Sequence, residues 1–251
     1  MNKDLVSIIT PSFNSAKFIK ECIDSVLSQT YKNWEMIIVD DVSSDNSNEI
    51  IEEYIKKDNR IRLIKLEKNS GPAVTRNRAI KEAQGRYIAF LDADDIWMSQ
   101  KLEKQLQFMK DNNITFSYTE YVKINDDSKV ISEVIERPKK VNYKKMLNSN
   151  YIPCLTAIYD TQILGKVYMP NILKRQDYGL WLKILKKVDY AYALNESLAK
   201  YRIHSSSISS NKIVAAIYVW KLFREVERLN IFQATYYFIN YMIISFIKFK
   251  K

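Results

Sequence analysis

Apolar and polar positions fall along this chain in two alternating kinds of block. Residues 5–10, 34–39, 61–66 and 87–91 are near-continuous apolar runs, the pattern of short strands covered on both faces. The stretches between them carry apolar residues at helical spacing. Phe18, Ile19, Cys22, Ile23, Val26 and Leu27 make one stripe within 15–27, and Ile50, Ile51, Tyr54 and Ile55 another within 46–55. A third helix is predicted over 73–83, with Pro72 suited to its first position and Gly85 to its end. A fourth is predicted over 98–110. Strand followed by helix, repeated in this way, predicts an α/β fold with a mostly parallel central sheet flanked by helices on both faces.

The second half is less regular. Residues 114–118, 121–124 and 129–135 are strand-like and separated by polar turns, so a small antiparallel addition is expected there. A helix is predicted over 177–187, with Leu180, Trp181, Ile184 and Leu185 inward, and short strands over 190–193 and 198–203. No flexible linker divides the chain. The expected organisation is one domain over 1–210, made of a regular half (1–112) and a less regular half (113–210), then a helical amphipathic tail (211–251).

The tail changes character again. Between Ile231 and Ile247 there is no charged residue, the apolar run is interrupted by Gln233, Thr235, Asn240 and Ser245, and Lys248, Lys250 and Lys251 follow. Such a stretch is short for a spanning helix and too polar. It fits an interfacial helix on an anionic leaflet, or a helix docked on the protein body or in a homodimer interface. The net charge of +10 on 251 residues points the same way, to an anionic surface or a phosphate-rich substrate. Cys22 and Cys154 sit far apart among apolar neighbours and read as core thiols. No signal-like segment opens the chain, so a cytoplasmic protein is expected, on the inner face of the membrane if the tail binds lipid.

Candidate chemistry gathers at strand ends. The run Tyr87-Ile-Ala-Phe-Leu91 stops at Asp92, Asp94 and Asp95, and a buried parallel strand that ends in acids puts them on the sheet edge where open α/β folds keep their sites. Asp92 and Asp94 are spaced to share one hard divalent cation with a substrate phosphate; a charged loop or helix cap is the alternative. Asp40, Asp41 and Asp45 follow the second strand on the same edge. Neither GxGxxG nor GxxxxGK[ST] occurs, and the chain has only four glycines, which excludes the usual dinucleotide and P-loop phosphate cradles. Arg76 and Arg78 are candidate phosphate partners, or residues of a solvated helix face.

Five segments, in order, resemble those of family 2 glycosyltransferases of the GT-A fold, in the branch that builds bacterial capsule, lipopolysaccharide and teichuronic acid. They are Val6-Ser-Ile-Ile-Thr-Pro-Ser-Phe-Asn14, Gln29-Thr-Tyr31 with Trp34-Glu35, Ile38-Val-Asp-Asp-Val-Ser-Ser-Asp45, Asn69-Ser-Gly-Pro-Ala-Val-Thr-Arg-Asn77 and Tyr87-Ile-Ala-Phe-Leu-Asp-Ala-Asp-Asp95. The resemblance implies a nucleotide-diphosphate-sugar donor, most often UDP-linked, with Mn2+ or Mg2+, and makes 1–112 the nucleotide-binding half and 113–210 the acceptor-binding half. Pro11 and Phe13 would line the base pocket, Asp41 would bond to the uracil, and Arg76 would lie near the nucleotide or brace its loop. Asp92 would touch the ribose or a metal-bound water, and Asp94 would ligate the metal. Val42 stands where the family usually has glycine and Thr75 where it has alanine, so small backbone adjustments are expected.

In the second half, Arg175-Gln-Asp-Tyr-Gly-Leu-Trp181 resembles the family segment whose acid is the general base, which falls on Asp177. An N-cap would suit an aspartate there equally. Tyr201-Arg-Ile-His-Ser-Ser-Ser-Ile-Ser209 resembles a further segment, making His204 a candidate metal ligand and Arg202 a phosphate contact. The function implied is inverting transfer of a sugar to a saccharide acceptor, commonly polyprenyl-diphosphate-linked. Rival readings are a nucleotidylyltransferase, which generally has a glycine-rich basic loop where this chain has Pro11-Ser-Phe-Asn14, and a non-catalytic membrane-peripheral scaffold. Nucleic-acid binding is not expected, because the basic residues are dispersed and no recognition motif occurs.

Overall fold

The computed structural model describes residues 2–203 and 212–249. Its first half follows the hydrophobic pattern closely. Strand β1 (Asn2–Ser12), helix α1 (Ile19–Leu27), β2 (Trp34–Asp40), α2 (Ser47–Ile55), β3 (Ile61–Lys65), α3 (Pro72–Glu82) and β4 (Gly85–Phe90) alternate as expected. All pairings among these four strands are parallel, in the order β3-β2-β1-β4. Their alternate faces feed two cores. Ile9, Ile37, Val39, Ile88 and Phe90 enter one, and Val6, Ile8, Met36, Ile38 and Ala89 the other. Burial on both faces is why these runs carry no polar alternation.

Two local expectations shift. Pro11 does not close the first strand; it pairs with Val39 and the strand runs on to Ser12. Gly85 opens β4 instead of ending α3, whose last position is capped at Ala83. The reason is a close approach: a Cβ on Gly85 would lie 2.6 Å from Leu5 O and 2.7 Å from Ser7 N.

Strand β5 (Ile96–Trp97) and helix α4 (Lys101–Asp111) follow, then β6 (Phe116–Ile124), β7 (Lys140–Val141), helix α5 (Tyr143–Asn148), a 3-10 turn (Cys154–Thr156), β8 (Ile158–Asp160), α6 (Thr161–Leu164), α7 (Gln176–Leu185) and β9 (Ala191–Arg202). The two strands expected over 114–124 are one strand. So are the two expected over 190–203, with register shifts in the β6–β9 pairing around Glu120. Residues 129–135 form only isolated bridges, Ile124 with Val130 and Tyr121 with Ile135. Strand β8 was not legible in the sequence: it is three residues long, yet it joins the halves by pairing antiparallel with both β4 and β6. The described residues thus share one sheet, in the order β3-β2-β1-β4-β8-β6-β9-β5 with β7 on β9.

The tail is part of this body. Helix α8 (Lys212–Lys221) runs into a π-helical turn (Leu222–Val226), and helix α9 (Ile231–Phe249) ends the described chain. Val219, Leu222, Phe223, Ala234 and Tyr241 are buried in the same core as Trp181 and Phe90. Gly179 of α7 leaves the space into which Pro170 and Leu222 pack. The outward residues of α9 are apolar as well, with Phe232 83% and Phe246 62% exposed. No described helix is long and apolar enough to cross a membrane.

Candidate active site

The parallel strands β1, β2 and β4 end together, and the acids beyond β2 and β4 gather at that edge. Asp40 is a bracket for its own loop, accepting from Ser43 N, Ser43 Oγ and Asn48 Nδ2 at 2.9, 2.5 and 3.2 Å. Asp45 does the same for the start of α1, taking Ala16 N at 3.0 Å and the Ser47 hydroxyl. Asp41 is buried, with Oδ1 accepting from Ser70 N at 2.7 Å and Oδ2 from Gly71 N at 2.8 Å. Its carboxylate therefore fixes the loop that opens α3, with one lone pair on each oxygen to spare. Pro11 is half-buried and Phe13 is 53% exposed, just beyond the strand whose Ser12 O accepts from Asp41 N at 2.9 Å.

Val42 adopts φ +66°, the left-handed region that a β-branched residue rarely occupies. The glycine-like backbone is kept, so the expected adjustment is replaced by local strain. Thr75 is accommodated by a bond from its hydroxyl to Gly71 O at 2.8 Å within α3.

The structure separates the two candidate arginines. Arg78 lies on the outer face of α3, paired with Glu82 at 3.2 Å. Arg76 is buried and donates from Nη2 to Asp92 Oδ1 at 2.5 Å. Burial works against its charge, but Asp92, Cys154 and Asp177 together more than offset this and the guanidinium holds its proton more tightly than a free arginine. Its Nε and Nη1 have no hydrogen-bond partner among the described residues. Unmet donors on a buried cation are costly, and at a sheet edge they point to a ligand that supplies oxygen atoms.

Asp92, Asp94 and Asp95 crowd one turn. Burial, then the charges of Asp94 and Asp92, push the Asp95 carboxyl well above the usual range. Asp95 accepts from Arg202 N at 2.9 Å. The Arg202 side chain corrects an expectation. Its guanidinium is fully buried and donates to Asp94 O, Asn125 O, Asp126 O, Ser128 Oγ and Glu21 Oε2, and it lies over the Phe18 ring. All its donors serve the protein, so Arg202 braces the acidic turn from behind and has none left for a phosphate. His204 lies outside the described residues. Among the described residues no three acid, histidine or cysteine side chains converge as a metal cage. Crowded carboxylates do fit a cation completed by substrate oxygens, as Mg2+ commonly is.

Asp177 is in the first turn of α7 and does not cap it; the cap position is Arg175, at φ +65°. Asp177 Oδ2 accepts from Asn150 Nδ2 at 3.5 Å. Asp177 and Asp92 both act electrostatically on Arg76, so α7 brings its acid to the same cluster as β4. Two members of this cluster had no signal in the sequence. Asn150 is one polar residue among several in a loop. Cys154 reads as a core thiol, yet it is only half-buried; burial, then Asp92, pushes it up, and Arg76 pulls it down.

Comparison with known proteins bears on this cluster. The sequence profile of glycosyl transferase family 2 matches residues 7–166, which carry Asp41, Arg76, Asp92 and Asp94. The chain belongs to that family. It is 47% identical over 239 residues to the putative teichuronic acid biosynthesis glycosyltransferase TuaG of Bacillus subtilis (strain 168), covering 95% of each chain. It is 42% identical over 247 residues to the UDP-Glc:alpha-D-GlcNAc-diphosphoundecaprenol beta-1,3-glucosyltransferase WfgD of Escherichia coli, covering 98% of this chain and 95% of that one. Among solved structures, S. aureus TarS 1-349 in complex with UDP-GlcNAc superposes with a TM-score of 0.72 at 20% identity, over 95% of this chain and 71% of that one, which shows the shared GT-A fold. This family 2 member is a glycosyltransferase, related to enzymes of bacterial surface-polysaccharide synthesis.

Proposed function

We propose that the protein is an inverting, metal-assisted transferase that moves a sugar from a UDP-sugar to a hydroxyl of a polyprenyl-diphosphate-linked saccharide. The observation that carries this is the buried Arg76, bonded to Asp92 and within electrostatic reach of Asp177, with two donors unmet. The similarity to WfgD, a UDP-Glc:alpha-D-GlcNAc-diphosphoundecaprenol beta-1,3-glucosyltransferase, supports the donor and acceptor classes. Residues 1–112 form the donor half, 113–210 the acceptor half and 211–251 the tail.

Pro11 and Phe13 flank the base, and the spare lone pairs of Asp41 accept from it. Arg76 presents Nε and Nη1 to donor oxygens, while Asp92 keeps Oδ2 for the ribose or a metal-bound water. Asp94, with Asp92, would hold Mn2+ or Mg2+, which supplies positive charge for the leaving diphosphate when bound. Asp177 takes the proton of the acceptor hydroxyl as that oxygen attacks the anomeric carbon opposite the leaving group. One carboxylate is enough for this, because a single proton is moved.

A panel of nucleotide sugars tests the reading, scored by release of UDP against GDP in the presence of short GlcNAc-diphosphate-lipid acceptors. Asp177→Asn is expected to bind donor within a few-fold of wild type and to lose about 10²–10⁴ in turnover. EDTA is expected to stop the wild type and added Mn2+ or Mg2+ to restore it. Near-normal turnover by Asp177→Asn sinks the base assignment; indifference to EDTA sinks the metal.

A further inference from the structure

Three side chains from the first turns of α7 reach α5 and the segment that follows it. The Tyr178 hydroxyl donates to Met146 O at 2.5 Å, and Trp181 Nε1 donates to Ile152 O at 3.0 Å. Both rings are fully buried, so these bonds pin residues 146–152 against α7. Asn150 lies between the two pins and meets the third side chain, Asp177. Its amide is oriented from the other end, because Asn150 Oδ1 accepts from Ile152 N at 3.1 Å. An amide whose oxygen is committed to the backbone turns its NH2 away from it, here onto Asp177 Oδ2. At 3.5 Å the contact is long, as catalytic contacts commonly are before substrate closes the site.

We propose that Asn150 is a positioning residue for Asp177: its amide holds Oδ2 and leaves Oδ1 as the oxygen that receives the acceptor proton. This rests on the reading of Asp177 as the base. A carboxylate free to rotate offers either oxygen at varying angles, and transfer in line with attack needs one oxygen within about 3 Å of the hydroxyl. Asparagine suits the place because it donates a hydrogen bond and takes up no proton itself. The other groups facing Asp177 are Arg76 from α3, Cys154 from the 3-10 turn and Tyr241 from α9. Arg175 acts on the adjoining Tyr178 and Tyr241.

The test is the pH dependence of kcat in Asn150→Asp and Asn150→Ala, using the nucleotide sugar and acceptor that give turnover in the panel. Asn150→Asp sets a second carboxylate against the base, so the acid limb of the profile is expected to move up by about one unit. Asn150→Ala is expected to lower kcat about tenfold with the donor KM unchanged. In an Asp177→Asn background, Asn150→Ala is expected to cost nothing further, since the group it orients is gone. If Asn150→Asp is too unstable to assay, the alanine variant decides. Wild-type kcat in Asn150→Ala, or an unmoved acid limb in a folded Asn150→Asp, overturns the proposal. If those results come with an inactive Asp177→Asn, only the role of Asn150 falls. An active Asp177→Asn instead removes the base reading itself.

Discussion

At the scale of single residues, the site is a set of carboxylates whose neighbours decide their work. Asp40, Asp41, Asp45, Asp92, Asp94 and Asp95 all stand at one sheet edge, but the first three are largely spent on backbone and hydroxyl donors. The sequence pattern could place these acids at strand ends, because period and burial are written in the residues themselves. It could not say which arginine turned inward, since Thr75-Arg-Asn-Arg78 is uniformly polar, nor that Arg202 would be swallowed by five acceptors drawn from residues 21 to 128. Those outcomes depend on contacts far apart in the chain. Val42 carries the one departure with a clear energetic sign. Left-handed backbone costs an L-residue about 1–2 kcal/mol, and glycine returns part of that through its unfolded-state entropy. Val42→Gly is therefore expected to stabilise the protein by about 0.5–1 kcal/mol. Urea denaturation measures it, and an unchanged or lower midpoint shows that Val42 carries no strain.

At the scale of elements, the joints between the two halves were hidden from the sequence. β8 has three residues, too few for a periodic signal, and the 3-10 turn beside it reads as loop. What holds that turn is a buried polar chain. Lys101 Nζ donates to Gln105 Oε1 at 2.6 Å, and Gln105 Nε2 donates to Ser117 Oγ and Thr156 O at 2.9 and 3.0 Å, tying α4 to β6 and to the turn that bears Cys154. Lys101 is fully buried over the Trp97 ring, and burial pushes its ammonium down to about 7. Below that pH it is charged in the folded and unfolded states alike, and the full cost of burying the charge is paid. Between about 7 and its ordinary value of 10.5, the unfolded chain binds the proton and the folded one does not, so stability rises with pH. The contribution across that window is of the order of a few kcal/mol. Lys101→Met is expected to remove this rise, whichever way the loss of the Gln105 contact moves the midpoint at any one pH. Thermal midpoints of both proteins at pH 6 through 10 give the comparison; parallel curves reject the neutral-lysine account.

At the scale of the whole molecule, the tail is both a structural member and an exposed apolar surface. Tyr241 stacks on Tyr178 with ring centroids 6.0 Å apart, next to Asp177, and Glu227 accepts from Tyr143 and pairs with Lys186. Deleting residues 231–251 would therefore strip part of the core and disturb α7. The membrane reading is better tested on the outward residues alone. Phe232, Tyr236, Ile243 and Phe246 are each more than half exposed, and the chain from Lys221 onward carries Lys221, Arg224, Arg228, Lys248, Lys250 and Lys251 against Glu225 and Glu227. Inserted aromatic and aliphatic side chains contribute about 1.5–3 kcal/mol each at full burial, and each basic residue near an anionic leaflet about 1 kcal/mol, the latter weakened by salt. We expect the wild type to float with phosphatidylglycerol vesicles at low salt and to float less at high salt. Changing the four outward residues to serine is expected to abolish flotation while leaving transfer to a water-soluble acceptor intact, because each of them turns most of its surface to solvent. A wild type that never floats, and a dimer that the serine variant turns into monomer, would assign the same face to a second copy of the chain.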